Sequence, residues 1–137
     1  MIQLTIPGEP IAQPRQRHRI AYKANKQPYV VNYTPADHPV QSYKQAIALL
    51  AKQQCREPID GPIELSIDLF YQKPKSLKGS SLFKTTREDL DNVCKAILDA
   101  LNGIVYPDDG RVFRLHAAKY YCEPGTQPRT EIAIERY

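Results

Sequence analysis

The side chains of this chain best suited to chemistry are four aspartates and a lysine that lie within about twenty residues of one another. They are Asp89, Asp91, Lys95, Asp108 and Asp109. Clustered carboxylates repel one another, so a chain that gathers them is expected to share a cation or a proton among them. The rest of the chain is basic, since 19 Lys and Arg outweigh 15 Asp and Glu to give a net charge of +4. We therefore predict metal-dependent chemistry on a polyanion.

An amphipathic helix beginning at Leu90 is predicted to position these groups. Asp91, Lys95 and Asp99 fall four residues apart and share the face opposite the apolar stripe. As the residue just before the helix, Asp89 can aim its carboxylate beside that of Asp91. The apolar stripe consists of Leu90, Val93, Cys94, Ile97, Leu98 and Leu101, and Asn102-Gly103 ends the helix.

Two or three converging carboxylates can hold Mg²⁺, or alternatively Mn²⁺, through a few direct oxygens, which leaves the other positions to water and substrate phosphate. Such a metal activates water and neutralises charge on a scissile phosphate. Lys95, one turn from Asp91, could pair with a non-bridging phosphate oxygen. A strand folding back along the helix could bring Asp109 near the first pair, with Asp108 as the alternative ligand in that turn.

Other interpretations of the same residues stay open. Asp89 is a good helix cap, Lys95 and Asp99 could form a surface ion pair, and the segment 107–110 is typical of a turn. An EF-hand loop is excluded because Val93 and Cys94 occupy positions that need an acid or amide and a glycine. The segment 89–93 also spells the DxDx[TV] motif of haloacid-dehalogenase-like phosphatases, but a polar segment precedes it instead of that family's hydrophobic strand.

The alternation and periodicity of apolar residues predict an α/β (α+β) fold, with residues 1–137 forming one domain. We expect a mixed sheet of four to five strands with two main helices, the second of which is the one described above. The predicted strands are Ile2–Ile6, Ile63–Tyr71 (long or central), Arg111–Cys122 and Thr130–Arg136, and the predicted first helix is Val40–Gln54.

Basic residues outside the acidic motif are candidates for contacts with DNA phosphates. Some lie in an irregular arm or loose hairpin between Pro10 and Pro39, and others lie in the polar loop 73–81. Tyrosines at 22, 29 and 33 could stack on unpaired bases, although aromatic residues at strand spacing more often pack in a core or interface. The candidate phosphate contacts are Arg15, Arg17, Arg19, Lys73, Lys75, Lys78 and Arg87.

The combination of DLDN, Lys95, the segment DALNG at 99–103 and Asp108-Asp109 closely resembles the RusA family of Holliday junction resolvases, which prophages often encode. The likeness extends over nearly the whole chain, including the opening Ile6–Pro10 and the arginine-rich arm that follows. One departure is Arg87-Glu88, where many relatives have a basic residue followed by proline.

This resemblance implies that Asp89, Asp91 and Asp109 are the metal-binding catalytic aspartates and that Lys95 is the catalytic lysine. It also implies a homodimer that binds four-way DNA junctions in recombination and repair. Mg²⁺-assisted attack of water would cut two opposed strands and leave 5′-phosphate and 3′-hydroxyl ends. A DNA-binding protein without catalytic activity and a DxD-type phosphatase remain the alternatives.

The cysteine spacing and the distribution of apolar residues exclude several kinds of site and segment. The three cysteines form no CxxC pair and have no zinc-like spacing, so neither a disulfide framework nor a zinc site is predicted. The N-terminus lacks a signal-peptide pattern, and no segment approaches the length of a membrane span. We expect a cytoplasmic protein that has no membrane partner and no organic cofactor.

Overall fold

The computed structural model describes residues 1–14 and 17–137. In this part of the chain it has two α-helices and six strands, which confirms the predicted α+β class with a mixed sheet. The elements are β1 (Ile2–Pro7), β2 (Arg17–Tyr22), β3 (Pro28–Tyr33), α1 (Pro39–Gln54), β4 (Ile63–Tyr71), α2 (Leu90–Leu101), β5 (Val112–Tyr121) and β6 (Arg129–Arg136), with a short 3-10 turn at Asp109–Arg111.

Four of the strands form one sheet in the order β1-β6-β4-β5. The β4 and β5 strands are parallel, whereas β6 is antiparallel to both β4 and β1. Strand β4 alternates strictly between buried and half-buried residues, as its sequence pattern predicts, and it is internal to the sheet. One face of this strand therefore belongs to the core and the other face is more open.

Both helices contribute apolar residues to the same core. Helix α1 buries Val40, Tyr43, Ile47 and Ala51. Its start is well specified, because Pro39 occupies the first turn and the Nδ1 atom of His38 accepts a hydrogen bond of 3.1 Å from the backbone N–H of Val40. Helix α2 buries Val93, Cys94, Ala96, Ile97, Ala100 and Leu101.

The β4–α2–β5 connection decides which residues meet around α2. Because β4 and β5 are parallel, the chain returns along α2 before β5 begins. The end of α2 therefore lies beside the segment leading into β5, where the Tyr106 hydroxyl donates to the Leu98 carbonyl over 2.9 Å. The start of α2 lies beside the end of β5, where the Lys119 ammonium donates to the Glu88 carbonyl over 2.5 Å.

The arm predicted as irregular or loosely paired contains a regular antiparallel hairpin of β2 and β3, which forms a separate two-stranded sheet. The chain before and after this hairpin is joined by a hydrogen bond of 3.1 Å from Gln13 Nε2 to Thr34 Oγ1. The backbone N–H of Gln13 also donates to the Asn92 carbonyl on α2 over 3.0 Å. The hairpin is thus anchored next to the first turn of α2.

Candidate active site

An open groove of about 930 Å³ runs along α2 on the side that faces β5. The sequence-predicted catalytic residues all contribute to its walls, together with apolar and basic side chains from the neighbouring elements. The lining residues are Thr85, Thr86, Arg87, Asp89, Leu90, Asp91, Cys94, Lys95, Leu98, Asp99, Asp109, Leu115, Ala117 and Lys119.

Asp89 and Asp91 lie at the N-terminal end of this groove. Asp89 is the residue preceding α2, as predicted, and its backbone is extended. Its side chain makes no capping hydrogen bond, so capping does not account for the aspartate at this position. Asp91 is exposed in the first turn of the helix. Both carboxylates are therefore accessible to a ligand in the groove.

Lys95 lines the groove one helical turn beyond Asp91 and is exposed. The alternative pairing of Lys95 with Asp99 is not formed. Asp99 instead places one carboxylate oxygen 3.9 Å from the Lys44 ammonium of helix α1. Within the range that the structure describes, Lys95 makes no salt bridge, so its charge can be directed to an anion in the groove.

Asp108 and Asp109 occupy different environments although they are adjacent. The Asp108 carboxylate accepts a hydrogen bond of 3.1 Å from the backbone N–H of Gly110, so it stabilises the turn. Asp109 begins the 3-10 turn, is half-buried and lines the groove. Burial raises the pKa of the nearby Tyr106 hydroxyl, and the negative charges of Asp109 and then Asp99 raise it further. Asp109 therefore belongs to the acidic surroundings of the end of α2.

The carboxylates of the groove are spread along α2 and the turn that precedes β5. Asp91 and Asp99 are eight residues apart, which corresponds to about 12 Å along a helix axis. In addition to burial, the negative charges of Asp109 and Asp99 both raise the pKa of the Tyr106 hydroxyl. Among residues 1–14 and 17–137, the side chains of His, Cys, Asp and Glu form no group of three that could hold a metal ion.

The donor chemistry of the groove nevertheless fits Mg²⁺. This ion prefers carboxylate oxygens and is commonly held by one or two carboxylates, with water and substrate phosphate completing its shell. Asp89 and Asp91 are of that type and stand two residues apart beside an open groove. The nearby Cys94 does not provide a competing soft ligand, because burial, and secondarily the charge of Asp91, raise the pKa of its thiol to about 11.

Lys119 is a groove residue that the sequence interpretation missed. It lies on β5 opposite Leu69, and so on the face of the sheet that packs against the helices. Its ammonium donates to the Thr86 carbonyl over 2.6 Å and to the Glu88 carbonyl over 2.5 Å. These bonds hold the segment immediately before Asp89. The sequence of β5 does not alternate strictly between apolar and polar residues, so the inward position of Lys119 follows only from the register with β4.

A second lysine holds the same segment. The Lys84 ammonium donates to the Thr86 hydroxyl over 2.8 Å and lies 4.9 Å from the centroid of the Tyr71 ring and 5.5 Å from that of Tyr121. The Thr86 hydroxyl is also 3.3 Å from the Tyr121 hydroxyl. The backbone approach to Asp89 is thus anchored to the ends of β4 and β5.

The predicted phosphate contacts are spread over three regions. Arg17 and Arg19 are exposed on β2, and Arg87 lines the groove, whereas Arg15 lies outside the described residues. In the loop after β4, the Lys73 ammonium donates to the Gly79 carbonyl, while Lys75 and Lys78 are exposed.

No α-helix in the ranges 1–14 and 17–137 has the length and apolar character needed to cross a bilayer.

Comparison with known proteins agrees with the resemblance noted from the motif. A family model described as endodeoxyribonuclease RusA matches residues 7–135. The chain is also similar to the uncharacterized protein YqaN of Bacillus subtilis (strain 168), with 35% identity over 144 residues. That alignment covers 97% of this chain and 94% of the relative. The similarity therefore extends over nearly the whole fold, and the residues matched by the family model include every residue of the groove.

Proposed function

The chain belongs to the RusA family of endodeoxyribonucleases, and from this membership we propose that it is a Mg²⁺-dependent enzyme that resolves four-way DNA junctions. The proposed reaction is hydrolysis of one phosphodiester bond in each of two opposed strands, which leaves 5′-phosphate and 3′-hydroxyl ends. This activity would serve DNA recombination and repair in the cytoplasm, including that of a prophage.

Asp89 and Asp91 are the proposed metal-holding residues. When bound there, the metal would activate water and offset negative charge on the scissile phosphate. Two observations support this assignment. Asp91 is exposed, and the side chain of Asp89 makes no capping hydrogen bond to the helix, so both carboxylates are free to bind a metal. Mg²⁺ needs few direct protein ligands, so this pair suffices for initial binding, and Mn²⁺ is the alternative ion.

Lys95 and Asp109 are the other two proposed catalytic residues. Lys95 would donate to a non-bridging phosphate oxygen and stabilise the charge that develops there. Asp109 would supply the third carboxylate of the site. Its position on the groove wall favours it over Asp108, whose carboxylate bonds to the Gly110 N–H.

The DNA-binding surface is proposed to flank the groove on two sides. Arg87 at the groove, Arg17 and Arg19 on β2, and Lys75 and Lys78 in the loop after β4 would contact phosphates, together with Arg15 and Lys73. Their role is to orient the junction so that one strand enters the groove. Because two symmetric cuts need two sites, we propose that the single-domain chain acts as a homodimer.

The observation that carries this function is the placement of Asp89, Asp91 and Lys95 on one open groove in a chain of this family. The test is incubation of the protein with a labelled synthetic four-way junction and with a linear duplex of matching sequence. Parallel reactions contain Mg²⁺, Mn²⁺ or EDTA, and the products of each strand are mapped on a denaturing gel. Paired symmetric cuts in the junction, abolished by EDTA, are expected.

Two other results would contradict the proposal. Binding of the junction without cleavage in Mg²⁺ or Mn²⁺ would identify a DNA-binding protein that lacks catalytic activity. Release of phosphate from a small phosphate ester, with no action on junctions, would identify a phosphatase of the DxD type.

Lys119 provides a separate prediction about positioning of the site. Lys119→Met keeps the aliphatic stem but leaves the Thr86 and Glu88 carbonyls without their donor, which is expected to lower the free energy of unfolding by about 1–3 kcal/mol. The carboxylate of Asp89 would then be less well positioned, so we expect cleavage to fall roughly tenfold to a hundredfold. Cleavage is measured against Mg²⁺ concentration, and stability by thermal melting.

The Mg²⁺ dependence distinguishes positioning from a purely structural effect. A positioning role predicts that Lys119→Met needs a higher Mg²⁺ concentration for half-maximal cleavage and that Lys119→Arg restores part of it. The matched control is Lys52→Met, which removes an exposed lysine in the last turn of α1. An unchanged Mg²⁺ requirement in Lys119→Met would show that this lysine only stabilises the fold.

A further inference from the structure

The hairpin formed by β2 and β3 has two different faces. Cross-strand pairs place Ile20 opposite Val30 and Tyr22 opposite Pro28 on one face, which also contains His18 opposite Asn32. We call this set of six residues the outer face. The other face contains Arg17, Arg19, Ala21, Tyr29, Val31 and Tyr33, with the Arg19 guanidinium 5.8 Å from the centroid of the Tyr33 ring.

The apolar residues of the outer face are unusually exposed for their type. Ile20 is 65% exposed, Val30 67% and Tyr22 69%. These side chains lie on neighbouring strands and form one continuous patch. A two-stranded hairpin is only marginally stable in water on its own, and exposed apolar patches mark interaction sites. The hairpin is therefore expected to be covered by a partner when the protein acts.

The charge of this region indicates the chemistry of that partner. Residues 10–36 contain no Asp or Glu, and the hairpin and its turn carry Arg17, Arg19, Lys23 and Lys26. A surface of this kind repels other cationic surfaces, including an identical hairpin in a second copy, and attracts a polyanion. Phosphate contacts from the basic residues would bring the apolar patch against the bases of a nucleic acid.

The position of the hairpin relates this patch to the groove. Gln13, just before the hairpin, bonds to the backbone of Asn92, which is the neighbour of Asp91 on α2. The chain leaving the hairpin is held at the same place by the bond between Gln13 and Thr34. Strands of six residues extend roughly 20 Å at about 3.4 Å per residue. The patch thus lies within one hairpin length of the hairpin's anchor beside the proposed metal site.

We propose that the outer face of the β2–β3 hairpin contacts unstacked bases at the branch point of DNA and thereby selects branched DNA over linear duplex. Apolar side chains can wedge between base steps, and tyrosine can stack on an exposed base face. In linear duplex the bases are already stacked, so insertion has an unstacking cost that an open branch point does not impose. The patch is consequently a selectivity element, distinct from the residues that hold the metal.

This inference rests on the proposed junction activity, and its test separates the two. The triple variant Ile20→Thr, Tyr22→Thr and Val30→Thr removes the apolar patch but keeps residues with high strand propensity. The control is Leu49→Gln, which removes an apolar side chain that is 61% exposed on α1. Binding to a four-way junction and to a linear duplex of the same sequence is measured by fluorescence anisotropy in EDTA, and folding by circular dichroism and thermal melting.

The triple variant is expected to bind the junction about tenfold to a hundredfold more weakly, while its affinity for duplex stays within about twofold and its melting temperature is unchanged. Leu49→Gln should bind both DNAs like the unaltered protein. Equal loss of affinity for both DNAs, or no loss for either, would overturn the role in selectivity. If the unaltered protein binds no four-way junction, the result contradicts the proposed junction activity itself, on which the role of the hairpin depends.

Two further measurements complete the test. If the triple variant is misfolded, the single variants Ile20→Thr and Val30→Thr replace it, and each is expected to show a smaller loss on the junction alone. Sedimentation velocity without DNA compares the oligomeric state of the triple variant with that of the unaltered protein. A change of state with no change in junction selectivity would show that a second copy, instead of DNA, covers the outer face.

Discussion

Replacing Asp91 by asparagine is expected to lower cleavage of a four-way junction by at least about a thousandfold while binding of the junction is retained or improved. The amide has nearly the shape of the carboxylate but no negative charge, so it is a much poorer ligand for Mg²⁺. The same charge removal reduces repulsion of DNA phosphates. Asp89→Asn is expected to behave alike, because both residues lie at the same end of the groove. Single-turnover cleavage and binding in EDTA are measured separately.

The control for these variants is Asp37→Asn, which removes one exposed negative charge before helix α1. It should leave cleavage close to that of the unaltered protein. Asp91 lies in the first turn of α2, where a negative charge is favourable by roughly 0.3–1 kcal/mol, so only a small loss of stability is expected. Cleavage by Asp91→Asn within a few fold of the unaltered protein would rule out Asp91 as a metal ligand.

The second large effect is expected from Asp109→Asn compared with Asp108→Asn. Asp109 lines the groove, and its replacement should lower cleavage roughly a hundredfold or more if it completes the catalytic set. The substitution Asp108→Asn keeps a side-chain carbonyl that can accept the hydrogen bond from Gly110, so it should preserve both the turn and cleavage within about threefold. Single-turnover rates at saturating Mg²⁺ give the comparison.

This pair of neighbouring variants is informative because both remove the same charge from the same turn. A loss of cleavage in Asp108→Asn with retention in Asp109→Asn would assign the third carboxylate to Asp108. Near-normal cleavage in both variants would restrict the catalytic carboxylates to Asp89 and Asp91. Equal losses would indicate that the turn itself, and not one carboxylate, matters for activity.

Regular periodicity made most of the secondary structure predictable. The strict alternation over Ile63–Tyr71 predicted a long or central strand, and that stretch forms the internal strand β4 with the same limits. The apolar stripe beginning at Leu90 predicted α2 and its first residue. Both patterns succeed because burial of one face against one core imposes a fixed period on the sequence.

The hairpin between β2 and β3 was harder to predict because its residues are mostly exposed. Without a buried face, the strands carry no clear alternation, and the pattern indicated only an arm or a loose pairing. The pairing of these strands depends on backbone hydrogen bonds between segments that local sequence does not identify. The same limitation concealed the outer face, since neighbouring pairs such as Ile20 and Val30 come together only through the register.

Some features of the candidate site could likewise be predicted from local sequence, whereas others depend on contacts between distant parts of the chain. The sequence alone determined that Asp89, Asp91 and Lys95 lie at one end and along one face of α2, because the helical repeat places residues four apart side by side. The sequence also showed that the rest of the chain is basic, and its motifs identified the RusA family. Only the tertiary structure decided that Asp108 bonds to its own turn, that Asp99 meets Lys44, and that Lys119 holds the segment before Asp89.

The meeting of Asp109 with the groove along α2 was likewise decided by the tertiary structure. The start of β5 lies at the end of α2 because a parallel crossover returns the chain antiparallel to its strands, so Asp109 joins the groove from that end of the helix. Sequence spacing describes contacts within one element, where geometry repeats from residue to residue. Contacts between elements depend on the path of the chain and on the register of the sheet, which no short motif contains.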